Sequence, residues 1–179
     1  YTLQQNLIIK KPVPPRGIVC SNRRRAERIV KSHLSNPIHL EEYNTAWQLD
    51  IYLGTYQGSP LFVAVIPVGA AGAAFAVQQL IVAGAKAIIR YGSNDDPFLT
   101  RERMNEIVLV DQADNLYGLM QGSGAPEAMW GKTLHASASL IKALQVEAEQ
   151  LGLMPKLAIC HHVEDYAAYS FPTAAGEFS

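Results

Sequence analysis

The segment of the chain that most constrains its fold spans residues 61–91 and has the layout of strand, helix and strand. Residues 61–66 (LFVAVI) are apolar throughout, which is typical of a central strand. The stretch AGAAFAVQQLIVAG then has helical length and composition, and Gly84 stands where a helix C-terminal cap belongs. Residues 85–91 return as a second apolar strand with charges only at Lys86 and Arg90. This alternation predicts an α/β sheet with helices on both faces.

The rest of the chain repeats the alternation. Apolar patterns predict strands at 17–20 and 156–160 and helices near 22–34, 71–83 and 132–151, with Ser21 or Asn22 capping the first helix. The turn Gln57-Gly58-Ser59-Pro60 predicts a hairpin. We therefore expect an α/β protein with a single domain over 1–179 and a central mixed β-sheet flanked by helices. Residues 1–15 form a Pro-containing extension, and the ending AAGEFS, without a closing element, predicts a domain that is incomplete at its C-terminus.

Composition narrows the classes of partner. Charged residues make up 17% of the chain, against about 25% in typical proteins, and this shortage predicts a homo-oligomer. The net charge of -1 gives no general attraction to nucleic acid or to anionic lipid. No apolar run approaches the roughly 18 residues of a membrane span. Cys20 and Cys160 both follow short apolar runs, which predicts buried reduced thiols and a cytoplasmic location.

Candidate binding residues lie where the predicted strands end. Arg90 closes the strand 85–91 and is followed by Gly92, which lets backbone approach closely, and by the hydroxyl of Ser93. A guanidinium in that setting suits a phosphate or a carboxylate ligand. The structural alternative is an arginine that pairs with Asp95 or Asp96 and holds a loop.

Two other motifs are weaker. Three arginines, at 23–25, open the first helix, where the helix dipole favours an anion, but a solvated basic face is expected for at least two of them. The segment CHHVEDY carries four potential metal ligands, His161, His162, Glu164 and Asp165. Adjacent histidines on an extended segment point to opposite sides, so we expect no metal there.

The order of these segments resembles the nucleoside phosphorylase family, specifically the hexameric purine nucleoside and uridine phosphorylase branch. VGAAGAAFAVQQLIVAGAKAIIRYGS is similar to that family's Gly-rich turn, helix, Gly-Ala-Lys turn and strand ending in Arg-x-Gly-Ser or Arg-x-Gly-Thr. SNRRRAERI resembles its Gly-Asp-Pro-x-Arg segment, and LGTYQG its next strand and turn. The segment from ASLIKALQ to CHHVEDYAAY resembles its later helix, strand and Ser-x-Asp-x-Phe-Tyr stretch.

The resemblance implies phosphorolysis of a purine nucleoside to free base and ribose 1-phosphate, in a dimer or hexamer. Inorganic phosphate is then the co-substrate, and no metal or organic cofactor is needed. The matching positions imply that phosphate binds to Arg25, Arg90 and Ser93, and that the nucleoside binds to Gly92, Tyr166 and Glu177. No residue matches the family's catalytic acid.

The chain departs from the family at three places. Ser21-Asn22-Arg23 replaces Gly-Asp-Pro, Asn94-Asp95 replaces Cys-Gly or Thr-Gly, and NTAWQ, which includes Trp47, lacks the arginine that family members lend to a neighbour. Two alternatives therefore stay open. The first alternative is a nucleosidase of the same fold, which uses water instead of phosphate. The second is a catalytically silent relative that binds nucleosides or serves as a structural subunit.

Overall fold

The computed structural model describes residues 9–40, 49–93, 106–114 and 117–161. Contacts divide the chain into two compact units, Tyr1–Asn94 and Asp95–Ser179. Within the described residues, no helix combines the length and the apolar character that a membrane crossing requires. The prediction of one domain over 1–179 stays a prediction.

The first unit is built on a mixed five-stranded sheet. Its strands, in the order β2-β3-β4-β1-β5, are β1 Arg16–Cys20, β2 Ser35–His39, β3 Asp50–Tyr56, β4 Ser59–Val65 and β5 Ala87–Arg90, and its helices are α1 Arg23–His33 and α2 Ala70–Val82. Strands β4, β1 and β5 are parallel, and β2 and β3 are antiparallel to their neighbours. The predicted strand, helix, strand unit and the α/β class are confirmed.

Local sequence signals explain the boundaries of these elements. The hairpin between β3 and β4 turns at Gln57 and Gly58, and both have positive φ, as a two-residue type I′ turn requires. Asn22 caps α1, since its Oδ1 accepts the backbone N–H of Arg25 at 3.1 Å. Gly84, with φ +120°, follows the end of α2 and allows the chain to turn into β5.

The sheet carries a core on each face. Cys20, Val63 and Val65 pack with Ala26 and Val30 of α1. The opposite face packs against α2 through side chains that include Val19, Phe62, Ala64, Ala76 and Leu80. Because successive residues of a strand face opposite sides, the two layers are set by the alternation within β1 and β4.

Gly17 lets the ring of Phe62 lie against β1. A Cβ at position 17 would come within 2.1 Å of Cζ of Phe62, whose ring is fully buried. We expect Gly17→Ala to destabilise the protein by about 1–3 kcal/mol, because the core would have to shift to admit the methyl group. The free energy of unfolding in denaturant measures this. Gly122→Ala is the control, since a Cβ there meets no atom within 4 Å; equal effects of the two substitutions would contradict the prediction.

The second unit contains a three-stranded sheet in the order β7-β6-β8. Its elements are the strands β6 Val108–Asp114, β7 Leu134–His135 and β8 Lys156–His161, the helices α3 Tyr117–Gly122 and α4 Ala138–Gln150, and a 3-10 turn at Glu127–Met129. Strand β8 pairs parallel with β6, and β7 pairs antiparallel with β6.

Three details of the sequence predictions need correction here. The helix predicted near 132–151 begins only at Ala138, because Leu134 and His135 pair with β6 instead. The strand predicted at 156–160 exists, but it belongs to this second sheet and not to the five-stranded one. Cys160 is exposed, because β8 lies at the edge of its sheet among the described residues and most of its residues are open to solvent; Cys20 is buried as predicted, and both thiols are free.

Candidate functional site

The carboxyl ends of three parallel strands meet at one edge of the first sheet. Strand β1 lies between β4 and β5, with Cys20 opposite Val65 and Val19 opposite Arg90. The N-terminus of α1 begins three residues after Cys20, at the same edge. In α/β folds this edge is where loops and helix N-termini present donors to a ligand. We refer to it as the carboxyl edge.

The three arginines that open α1 have three different surroundings. Nη2 of Arg23 lies 2.5 Å from Oδ2 of Asp50. Arg24 is exposed. Arg25 is half-buried, and its guanidinium carbon lies 5.3 Å from the centre of the Tyr91 ring, which is a cation–π contact. Arg25 therefore differs from its two neighbours in its tertiary contacts.

Arg90 ends β5 and is exposed, as are Gly92 and Ser93. Its guanidinium lies against Gly92, where a Cβ would approach Nη1 of Arg90 to 3.0 Å. Strand alternation starts the Arg90 side chain on the face opposite α1, so any approach to Arg25 occurs at the end of the strand. The absence of a side chain at Gly92 leaves room for that guanidinium.

The buried thiol of Cys20 experiences the charge of both arginines. Burial raises the pKa of Cys20, and the backbone of Asn22 and the positive charges of Arg25 and Arg90 act in the opposite direction. Within the described residues, no carboxylate forms an ion pair with Arg25 or Arg90. This arrangement favours a small anion as the partner of the two guanidinium groups.

A buried ionic cluster also lies at the carboxyl edge, and the sequence analysis missed it. Asp50 begins β3 opposite Val65, and its side chain is only 2% exposed. Besides Arg23, it contacts Nε2 of His39, 2.7 Å from Oδ1. The His39 ring stacks on Tyr52 with centroids 4.3 Å apart. Burial raises the pKa of Tyr52, and the negative charge of Asp50 adds to the effect.

The cluster includes a residue at which the chain departs from the pattern of the family that its sequence resembles. Arg23 stands where the resembled family has a proline, and in this protein it forms an ion pair with the buried carboxylate of Asp50. An acidic residue at the start of an otherwise apolar strand was the sequence signal that could have pointed to a buried ion pair. Its partners lie 11 and 27 positions away, so no local pattern identifies them.

The second sheet has an acid and a base at its own carboxyl end. Asp114 and His161 are the last residues of the parallel strands β6 and β8, and they lie directly opposite each other. Oδ1 of Asp114 is 2.6 Å from Nδ1 of His161. Across the part of the chain that the structure describes, no group of three or more potential ligands could hold a metal ion.

Several of the predicted site residues and departures lie outside the described residues. These are the nucleoside-binding positions Tyr166 and Glu177, the departures at Trp47, Asn94 and Asp95, the alternative partner Asp96, and the remaining members of the acidic and histidine segment, His162, Glu164 and Asp165. The residues that the structure brings to one edge are Arg25, Arg90, Gly92 and Ser93. Their roles as phosphate-binding and nucleoside-binding residues stay predictions.

Comparison with known proteins identifies the fold. No protein-family model matches the chain, and no curated protein matches it by sequence. Among solved structures, uridine phosphorylase from Vibrio fischeri ES114, complexed with 6-hydroxy-1-naphthoic acid, is similar with a TM-score of 0.75 and 21% identity, over 92% of this chain and 63% of that one. Purine nucleoside phosphorylase from Toxoplasma gondii, in complex with immucillin-H, is similar with a TM-score of 0.66 and 22% identity, over 86% and 59%.

These similarities show a nucleoside phosphorylase-like α/β fold, as the sequence resemblance predicted. The chain spans about three fifths of the length of either structure. At this level of identity, the similarity establishes the arrangement of strands and helices and leaves the chemistry to be argued from the site.

Proposed function

We propose that this protein, which has a nucleoside phosphorylase-like fold, catalyses the phosphorolysis of a purine nucleoside to the free base and ribose 1-phosphate. The observation that carries the proposal is the placement of Arg25 and Arg90 at the carboxyl edge, where no described carboxylate pairs with either. Two guanidinium groups in such a position suit a phosphate, because each offers a planar fork of donors to its oxygens.

The proposed reaction forms a bond between a phosphate oxygen and C1′ of the nucleoside while the bond from C1′ to the base breaks. The electron pair of that bond leaves with the base, and the sugar passes through an oxocarbenium-like state. Arg25, Arg90 and Ser93 bind the phosphate and orient it towards C1′, so that catalysis consists mainly of placement and charge stabilisation. Inorganic phosphate is the co-substrate, and the proposal needs no other cofactor.

The remaining roles follow the sequence resemblance. Gly92 gives the nucleoside close access to the backbone, Tyr166 stacks near the nucleoside, and Glu177 binds the ribose hydroxyls. We assign no residue to the protonation of the leaving base. We also propose a homo-oligomer, either a dimer or a hexamer, because relatives of this kind build their sites at subunit contacts. The proposed location is the cytoplasm.

One observation favours a second candidate, a silent relative that binds nucleosides. The family's Gly-Asp-Pro segment is replaced by Ser21-Asn22-Arg23, and Asn22 uses its side chain to accept the N–H of Arg25. That amide is one of the donors at the start of α1 from which a bound anion would otherwise accept a hydrogen bond. The replacement therefore reduces what the helix N-terminus offers to phosphate. Reduced phosphate binding is also compatible with a nucleosidase, which uses water in place of phosphate.

A nucleoside panel assayed with and without phosphate distinguishes the three functions. Purine and pyrimidine nucleosides are incubated with the full chain, and the released base and the sugar product are measured. Base release that requires phosphate and yields ribose 1-phosphate supports the proposal. Base release that yields free ribose without phosphate identifies a nucleosidase. Nucleoside binding without turnover under any condition identifies the silent relative, and either of the last two results refutes phosphorolysis.

A further inference from the structure

The ring of Tyr91 lies under the guanidinium of Arg25, at 5.3 Å from its centre to the guanidinium carbon. Tyr91 is 55% exposed, although it follows directly on a strand whose residues are otherwise mostly half-buried. A large ring that is left more than half exposed contributes little to a core. Its contact with Arg25 therefore belongs to the surface of the carboxyl edge.

Both partners of this contact are fixed by backbone hydrogen bonds. The N–H of Tyr91 donates to the carbonyl of Val19 at 2.8 Å, so the pairing of β5 with β1 extends through Tyr91. Alternation along β5 places the ring on the face that α1 covers. The backbone of Arg25 is fixed by the Asn22 cap. The ring and the root of the arginine side chain therefore have set positions relative to each other.

An aromatic ring positions a guanidinium differently from a carboxylate. Asp50 holds Arg23 by an ion pair, which neutralises the charge of the arginine. The face of an aromatic ring attracts the cation without accepting its N–H groups in directed hydrogen bonds. Arg25 is therefore ordered while its charge and its donors stay available to an anion. An unsupported arginine would lose more side-chain freedom on binding the same anion.

We propose that Tyr91 is a positioning residue, which holds the Arg25 guanidinium in place for an oxyanion at the carboxyl edge. The proposal rests on the proposed function, because the anion it serves is the phosphate co-substrate. Tyr91 does not touch the reacting atoms in this account, and it acts only through Arg25. The class of ligand is a small tetrahedral oxyanion, for which inorganic phosphate is the probe.

Calorimetric titration of the full chain with inorganic phosphate tests the role of Tyr91. Tyr91→Leu keeps an apolar side chain but removes the ring face, and we expect it to weaken phosphate binding by about threefold to thirtyfold. Tyr91→Phe keeps the ring and should stay close to the wild type. In turnover, Tyr91→Leu should raise KM for phosphate more than it lowers kcat, because the ring acts on ground-state binding and transition-state binding alike.

Tyr56→Leu is the matched control, and we expect it to leave phosphate affinity unchanged. Tyr56 is also a tyrosine with an exposed ring, 46% exposed, but it lies at the opposite edge of the same sheet, beside the hairpin turn. Equal phosphate affinity of Tyr91→Leu and the wild type would overturn the role of Tyr91 and leave the proposed function standing. A wild-type protein that binds no phosphate would refute the proposed function itself, and the role of Tyr91 with it.

Discussion

Arg23→Ala is expected to destabilise the protein by about 3 kcal/mol, whereas Arg24→Ala, one position along the same helix, is expected to change its stability by less than about 0.5 kcal/mol. The reason is Asp50, whose side chain is only 2% exposed. Without Arg23, its carboxylate stays buried with His39 as its described partner. The estimate lies at the lower end for buried pairs because the Arg23 side chain is itself 51% exposed.

A double substitution separates the ion pair from other effects of removing Arg23. Asp50→Leu combined with Arg23→Ala removes the buried charge together with its partner, and apolar replacements of buried pairs are often neutral or stabilising. The double variant should therefore be more stable than Arg23→Ala alone in denaturant unfolding. A double variant that is no more stable than the single one would show that the buried carboxylate is not the source of the loss.

Local sequence signals predicted most of the five-stranded sheet. The strands at 17–20, 61–66 and 85–91 are short apolar runs, and glycine marks the hairpin at 58 and the end of α2 at 84. These signals work because each depends on a few neighbouring residues: burial of a run, or a positive φ that glycine accepts. The helix boundary at Asn22 is local for the same reason, since its side chain caps the turn that follows.

The elements that the sequence did not predict depend on distant partners. Leu134 fits the helical spacing of α4, but it is paired with β6 more than twenty residues earlier. Strand β2, Ser35–His39, contains a proline and is mostly exposed, and its pairing with β3 defines it. Neither β7 nor β2 has a strand periodicity that could be recognised without its partner strand.

The candidate site divides in the same way. The sequence identified Arg90 by its place at a strand end, and the family resemblance singled out Arg25 from three adjacent arginines. In the structure, Arg25 is distinguished by its contact with Tyr91. Arg23 is excluded as an anion-binding candidate by its ion pair with Asp50. Asp50 and Tyr91 are both distant from α1 in the sequence, so composition and spacing alone left the three arginines equivalent.

Arg90→Lys is expected to lower kcat/KM for phosphate by about 100-fold, although the charge is kept. A guanidinium binds two phosphate oxygens with a planar fork, whereas an ammonium is a point charge on a flexible stem. A phosphate held by one oxygen fewer is less well aligned with C1′, and misalignment of the attacking group is costly. Turnover of a purine nucleoside over a range of phosphate concentrations gives the measurement.

Arg16→Lys is the control for the loss of a guanidinium. Arg16 is exposed at the first position of β1, at the amino end of the parallel strands, so the same exchange should change turnover by less than roughly twofold.

The structural alternative, in which Arg90 pairs with Asp95 or Asp96, predicts the reverse pattern for Arg90→Lys: a lower free energy of unfolding and unchanged dependence on phosphate. Measuring both quantities on one variant therefore decides between the two roles of Arg90. Unchanged phosphate dependence would also remove the observation on which phosphorolysis rests, because Arg25 alone is then left to bind the anion.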